Sequence, residues 1–276
     1  SKCPPPELTD AVKGHQALRS VGVTGSWWSQ VREQIRRSEY HVSLQPTTYL
    51  SDLPSAYHAP NRAHNLRTYF TEEGIRVIPR ASSEIDWEWG LKLMGYGHPD
   101  DRQPLSDAIL SPEKNRIEYQ RGTLTEWYVN DERGLEQGFT LHGPPPDRRR
   151  QSSEEGGLIV LDLLMTGSLT PRLSSDASTV ELSTPGGEVA LLFGDLVVVD
   201  REGRKLPSWF TLSDAVLSIW VDSTGASFPL TVDPLATSPG WAKESNQADA
   251  RLGYSVGTAG DVNGDGYSDI IVGAHY

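Results

Sequence analysis

The sequence predicts a mainly β protein, with an antiparallel sandwich-like region preceded by a short N-terminal helix. Three observations predict it. Between residues 157 and 235, turn-forming clusters recur about every ten residues and separate short runs of β-favouring side chains. Elsewhere apolar and polar residues alternate with the period of two that a half-buried strand requires. The 276 residues are 37% hydrophobic, which supplies a sizeable core for one or two domains.

Residues 1–25 are rich in Pro and polar side chains and read as a tail. The one cysteine, Cys3, rules out an intrachain disulfide. Lys2 stands before it, where lipoprotein cleavage wants a small residue, so Cys3 reads as a chance thiol. Ser26 can cap a helix running to about residue 40. Trp28, Val31 and Ile35 share its apolar face, and Arg32, Arg36 and Arg37 form a solvated one. Signals are weak from 41 to 81, with one short strand over 74–79. His58 and His64 lie near Asn61 and Asn65, but their spacing fits no standard metal-ligand pair, and they read as loop histidines.

Glu84-Ile85-Asp86-Trp87-Glu88-Trp89 alternates without a break. A strand here puts Glu84, Asp86 and Glu88 on one face and Ile85, Trp87 and Trp89 on the other. Carboxylates beside aromatics can build a sugar-binding or glycosidase cleft. A half-buried strand with a wet acidic side explains the pattern as well. Further strands are expected over 116–120, 124–129 and 138–142, with a turn at Asn130-Asp131-Glu132-Arg133-Gly134. The segment 143–157 is a composition break whose charges cancel, and reads as a linker or long exposed loop. The clearest strands follow over 158–164, 179–182, 188–193, 196–199, 209–211, 215–221 and 228–232. Asp233-Pro234 is expected to close the last, because proline has no N–H to donate. The domain organisation is therefore a tail at 1–25, a β-rich domain at 26–235 with a sub-boundary at 143–157 if it divides, and a distinct segment at 236–276.

There are 25 basic against 37 acidic residues, a net charge of −12, which argues against a nucleic-acid partner. No apolar run reaches membrane-spanning length: 157–167 and 189–199 are both interrupted by Asp or Gly. No signal peptide is visible, but the chain begins without Met and stops inside a pattern, so it is expected to be a fragment. Lack of disulfides does not exclude export, since a bound cation can act as the staple. No G-x-S-x-G, H-E-x-x-H, P-loop or strand-borne G-x-G-x-x-G occurs, and the chain is not expected to be an enzyme.

The most informative stretch is Asp261-Val262-Asn263-Gly264-Asp265-Gly266-Tyr267-Ser268-Asp269. It places oxygen side chains at alternate positions, then a turn, then a last carboxylate. So many carboxylates held close repel one another without a cation, and an irregular oxygen cage suits Ca2+ better than Mg2+. The expected ligands are Asp261, Asn263, Asp265 and Asp269 through side chains, with the Tyr267 carbonyl. Gly264 and Gly266 permit the tight wrap. An EF-hand would need Glu at the twelfth position, which is Val272, and helices on both sides. Here the flanks favour strands. The alternative is a metal-free Asp/Asn/Gly hairpin turn.

Leu252-Gly253-Tyr254-Ser255-Val256, then the Asp261–Asp269 loop after Ala259-Gly260, then Ile270-Ile271-Val272-Gly273-Ala274, resembles an FG-GAP repeat, the repeat of the integrin α-subunit β-propeller. Leu252 stands where that family often has Phe, and the family's final Pro is absent near His275. The resemblance covers only the C-terminal end. It implies the start of a propeller blade, calcium held in its hairpin, and further FG-GAP repeats beyond Tyr276, since one repeat cannot bury its own face. Trp127-Tyr128-Val129-Asn130-Asp131, with Gly203-Arg204-Lys205-Leu206-Pro207 and the stretch from Phe228 to Pro234, is similar to the β-rich leader that precedes such repeats in large bacterial surface proteins. The function expected is a non-catalytic, extracellular or cell-surface calcium-binding protein acting in adhesion or in binding a protein or glycan ligand. A carbohydrate-active or lectin-like module using 84–89, and a structural spacer presenting a propeller, are the alternatives.

Overall fold

The computed structural model describes residues 38–80, 85–146, 157–238, 255–260 and 269–273. The chain divides into two units, Ser1–Ser238 and Pro239–Tyr276.

In chain order the first unit forms β1 (Ser43–Gln45), β2 (Ala56–Asn61), β3 (Leu66–Phe70), β4 (Ile75–Pro79), β5 (Trp89–His98) and β6 (Asp101–Gln103). Then come β7 (Ile109–Glu113), β8 (Arg116–Arg121), β9 (Leu124–Asp131), β10 (Gly134–Leu141), β11 (Leu158–Gly167) and β12 (Thr170–Leu173). The last are β13 (Val180–Ser183), β14 (Val189–Val199), β15 (Ser208–Ser213), β16 (Val216–Asp222) and β17 (Leu230–Thr237). They build two antiparallel sheets. The nine-stranded one runs β1-β2-β3-β4-β5-β11-β16-β15, with β6 on β5, and the eight-stranded one runs β12-β13-β14-β17-β10-β9-β8-β7. Strands from both sides of 143–157 share each sheet.

The sheets meet through the alternate residues of each strand, as the period of two demands. Leu91, Leu93, Leu161, Leu163, Leu217 and Ile219 of the first sheet are buried with Ile117, Leu124, Phe139, Leu191, Leu230 and Val232 of the second. Aromatic rings span the gap. Phe70 meets Tyr128 edge-on at 5.5 Å, and Phe193 sits 6.0 Å from both Trp89 and Phe210. At one end two buried asparagines tie the sheets together. Asn61 of β2 donates to Asn130 Oδ1 (2.9 Å) and to the carbonyls of Asp131 (2.7 Å) and Gly134 (3.2 Å). Asn130 of β9 donates to the carbonyls of Pro60 (2.8 Å) and Tyr40 (3.0 Å).

The segments singled out as leader-like have structural work. In β9, Trp127 lies outside against Gly138, where a Cβ would fall 2.0 Å from its ring, with the Arg116 guanidinium 4.4 Å from its centroid. Tyr128 and Asn130 point inward. In the turn after β14, Gly203 takes a left-handed φ of 79°. There Asp200 accepts the N–H groups of Glu202 (3.0 Å) and Arg204 (2.9 Å) and the Arg204 Nε (3.1 Å). Burial pushes the Asp200 carboxyl up, but the backbone donors of Arg204, Ser227 and Glu202 outweigh it and hold it below the usual range.

Several expectations are corrected. The helix over 26–40 is not shown: only residues 38–40 of it are described, and Ser38 alone is helical. The runs 188–193 and 196–199 are one strand, β14, with a bulge between Gly194 and Val197. Pro234 does not close the last strand, because β17 continues to Thr237 between β14 and β10. Asp195 and Leu196 stand opposite Pro234, where Gly194 pairs with Leu235 and Val197 with Asp233. On the other side the pairing of β10 passes over the same step. The missing N–H is thus met by a break in both ladders. The histidine His58 lies in β2, not in a loop.

On the outer face of the second sheet, Glu136 and Asp233 form a carboxylate pair beside Arg133. Burial pushes the Asp233 carboxyl up to about 7, reinforced by the Glu136 charge and their hydrogen bond, with Arg133 pulling the other way. A folded value above the ~3.9 of an unfolded Asp means the native state holds the extra proton. This contribution is fullest below about pH 4 and is lost as pH rises towards 7.

Two outcomes are expected. Asp233→Asn should melt higher than the parent at pH 8, the gap closing as pH falls to about 4, read by thermal melts across that range. Asn61→Ala should lose on the order of 1–3 kcal/mol in urea unfolding, because it strands buried acceptors at the joint between the sheets.

Candidate functional site

In the second unit, β18 (Ser255–Gly260) and β19 (Asp269–Gly273) pair antiparallel. Ser255 stands opposite Gly273, Thr258 opposite Ile270, and Gly260 opposite Asp269, with an irregularity at Ala259. The Asp-rich segment 261–268, which separates the two strands in the sequence, lies outside the described residues. Cα atoms opposite each other in such a ladder lie about 4.5–5.5 Å apart. The two flanking strands expected from the sequence are present, where an EF-hand would have helices.

Of the candidate ligands, Asp261, Asn263, Asp265 and Tyr267 lie outside the described residues, and Asp269 is described only as the first residue of β19. The donor set fits a hard divalent cation, being all oxygen and largely carboxylate. Cys3, Arg32, Arg36 and Arg37 also lie outside the described residues.

Among the described residues, no group of three or more His, Cys, Asp and Glu could hold a metal ion. His58 and His64 are engaged separately. His64 Nδ1 meets Ser238 Oγ at 3.0 Å and its Nε2 meets the Glu132 carbonyl at 3.1 Å. His58 packs its ring 5.2 Å from Tyr69, and burial, with a smaller effect from Arg67, pushes it down to about 4.

The 84–89 stretch is not the alternating strand the sequence suggested. Glu84 lies outside the described residues, 85–88 has no ladder, and the strand begins at Trp89. Ile85, expected to be buried, is 45% exposed, while Trp89 is buried. Glu88 is bound to Arg76, through Nε at 2.6 Å and Nη2 at 3.1 Å, and Arg76 also holds Asp52 at 2.8 Å. The reason is local: a three-charge clamp ties this segment to the first sheet before β5 starts.

One polar cluster escaped the sequence reading. On the inner face of the second sheet, Glu126 accepts from Tyr128 Oη (2.6 Å) and Gln137 Nε2 (3.0 Å), with Arg121 Nε 3.8 Å away. Burial pushes the Glu126 carboxyl up, against the opposing pull of Tyr128, Arg121 and Gln137. Arg121 Nε, Glu126 Oε2 and Gln137 Oε1 make no hydrogen bond. The signal was present as a charged residue at an inward position between Leu124 and Tyr128.

No helix among the described residues is long and apolar enough to cross a membrane. No curated protein sequence matches the chain. Among solved structures, a glycoside hydrolase family 81 protein from Clostridium thermocellum is similar at 13% identity and a TM-score of 0.34, over 65% of this chain and 22% of that one. A family GH92 alpha-mannosidase from Bacteroides thetaiotaomicron is similar at 13% identity and a TM-score of 0.31, over 66% of this chain and 30% of that one. The chain thus spans less than a third of either protein's length. The FG-GAP repeat family model matches residues 252–276, the span that holds the β18–β19 hairpin, so the chain carries an FG-GAP repeat at that end.

Proposed function

We propose that this is an extracellular or cell-surface calcium-binding protein that acts in adhesion or in binding a ligand, without catalysis. The observation that carries this reading is the antiparallel β18–β19 pair, whose Gly260–Asp269 step flanks a sequence of alternating oxygen donors. The match of residues 252–276 to the FG-GAP repeat supports it, because integrin-type repeats use that loop for calcium. Asp261, Asn263, Asp265 and Asp269 would hold the ion with side-chain oxygens, and Tyr267 with its carbonyl. A bound Ca2+ supplies positive charge that neutralises these carboxylates. In its absence the same side chains repel one another across the hairpin. Gly264 and Gly266 give the loop the freedom to turn its oxygens inward. The acidic chain, at −12, favours attraction of cations over anions.

Calorimetric titration with calcium should give a saturable heat that Asp265→Asn reduces strongly. Saturation near a hundred times the dissociation constant should stabilise the calcium-bound unit by about 2.7 kcal/mol, read as a chelator-reversible rise in melting temperature. Equal melting with calcium and with chelator, together with no binding heat, would remove the proposal.

A further inference from the structure

The edge strand β15 passes the bulge of β14 and the turn that follows β12. Between them lies an open cleft of about 400 Å³. Asp195 forms one wall. It sits in the bulge at a left-handed φ of 53°, and its carboxylate has no hydrogen-bond partner among the described residues. Asp176 forms another. Its Oδ1 accepts Ser174 Oγ (2.6 Å), Ser178 N (3.1 Å) and Ser178 Oγ (2.8 Å), which leaves Oδ2 open. Those donors, Ser174 first and then Ser178, hold this carboxyl down to about 2, so it is ionised at neutral pH.

The third wall is apolar. Trp209 and Val197 both line the cleft and are 38% and 39% exposed. Trp209 is held flat against Trp220, with centroids 6.0 Å apart and planes within 7°, and Trp220 Nε1 is fixed to Thr211 Oγ1 at 2.9 Å. The indole is therefore a braced platform.

These features narrow the ligand. Two carboxylates with no Lys or Arg in the lining repel anions. A wholly apolar ligand would desolvate both carboxylates without replacing their hydrogen bonds. A hard metal ion wants more oxygens than two carboxylates supply, and no group of three metal-binding side chains occurs among the described residues. A neutral molecule with many hydroxyl donors and one apolar face fits all three walls. A pyranose ring has both: its C–H face can lie on an indole, and its hydroxyls can donate to carboxylates. We propose that this cleft binds a neutral saccharide, with Trp209 as the platform and Asp195 and Asp176 as hydroxyl acceptors. The site shares no residue with the calcium loop and does not rest on it.

The test uses the full chain, titrated with neutral gluco-, manno- and N-acetylglucosamine oligosaccharides by calorimetry and tryptophan fluorescence, with calcium and again with chelator. At least one series should bind saturably at millimolar or tighter affinity in both conditions. Trp209→Ala and Asp195→Asn should each weaken it about tenfold or more. Val197→Arg, which fills the cleft while keeping Trp209 and both aspartates, should also abolish it, and far-ultraviolet circular dichroism should show that each variant is folded. The proposal is overturned if no oligosaccharide binds at about 10 mM. It is equally overturned if binding survives both Trp209→Ala and Val197→Arg in folded protein, or if choline, a cation that could use the same indole, binds there while the sugars do not.

Discussion

Burial of one face of each sheet against the other holds the first unit together, and most of its other features are adjustments to that constraint. Each strand can offer only its alternate residues to the core, so the ladders must keep register over long distances. The aromatic contacts from Trp89 to Phe193 to Phe210, and from Phe70 to Tyr128, bridge the sheets. The Asn61–Asn130 bridge does the same at one end, where backbone carbonyls would otherwise be buried without donors. Glu126 is the exception inside this core. Its carboxylate is tolerated only because Tyr128, Gln137 and Arg121 surround it.

Pro234 shows how one residue reaches the surface through the ladder. It lies in a central strand, where a proline removes a donor. The neighbouring strand answers with two residues opposite one, and that bulge pushes Asp195 into a left-handed conformation and leaves Val197 exposed. The cleft beside β15 is thus shaped by a backbone vacancy in the sheet. The side chains that line it follow from that vacancy.

Much of this was legible in the sequence. The strands from β8 to β17, apart from β12, follow alternation and turn chemistry, and the pairing of β18 with β19 follows from the Gly-rich and Ile/Val-rich flanks of the Asp-rich segment. The misses share a physical cause, which is that they depend on partners distant in sequence. Pro234 reads as a strand end until β14 is seen to bulge opposite it. Glu88 reads as a free acid on a strand face until Arg76 is seen to bind it. The turn at Asn130–Gly134 reads as a loop, whereas Asn130 is the buried residue that joins the sheets. No local pattern separates these cases, because each is decided across the sheet or between sheets.

The last strand of the first unit, β17, is the last described strand before the second unit in the chain and lies in the interior of its sheet, bonded on both sides. His64 catches Ser238 just after it, accepting its N–H at 3.2 Å. Removing β17 from the sheet would therefore have to break two ladders at once, where an edge strand has one to lose. The first unit thus keeps its last strand locked from both sides.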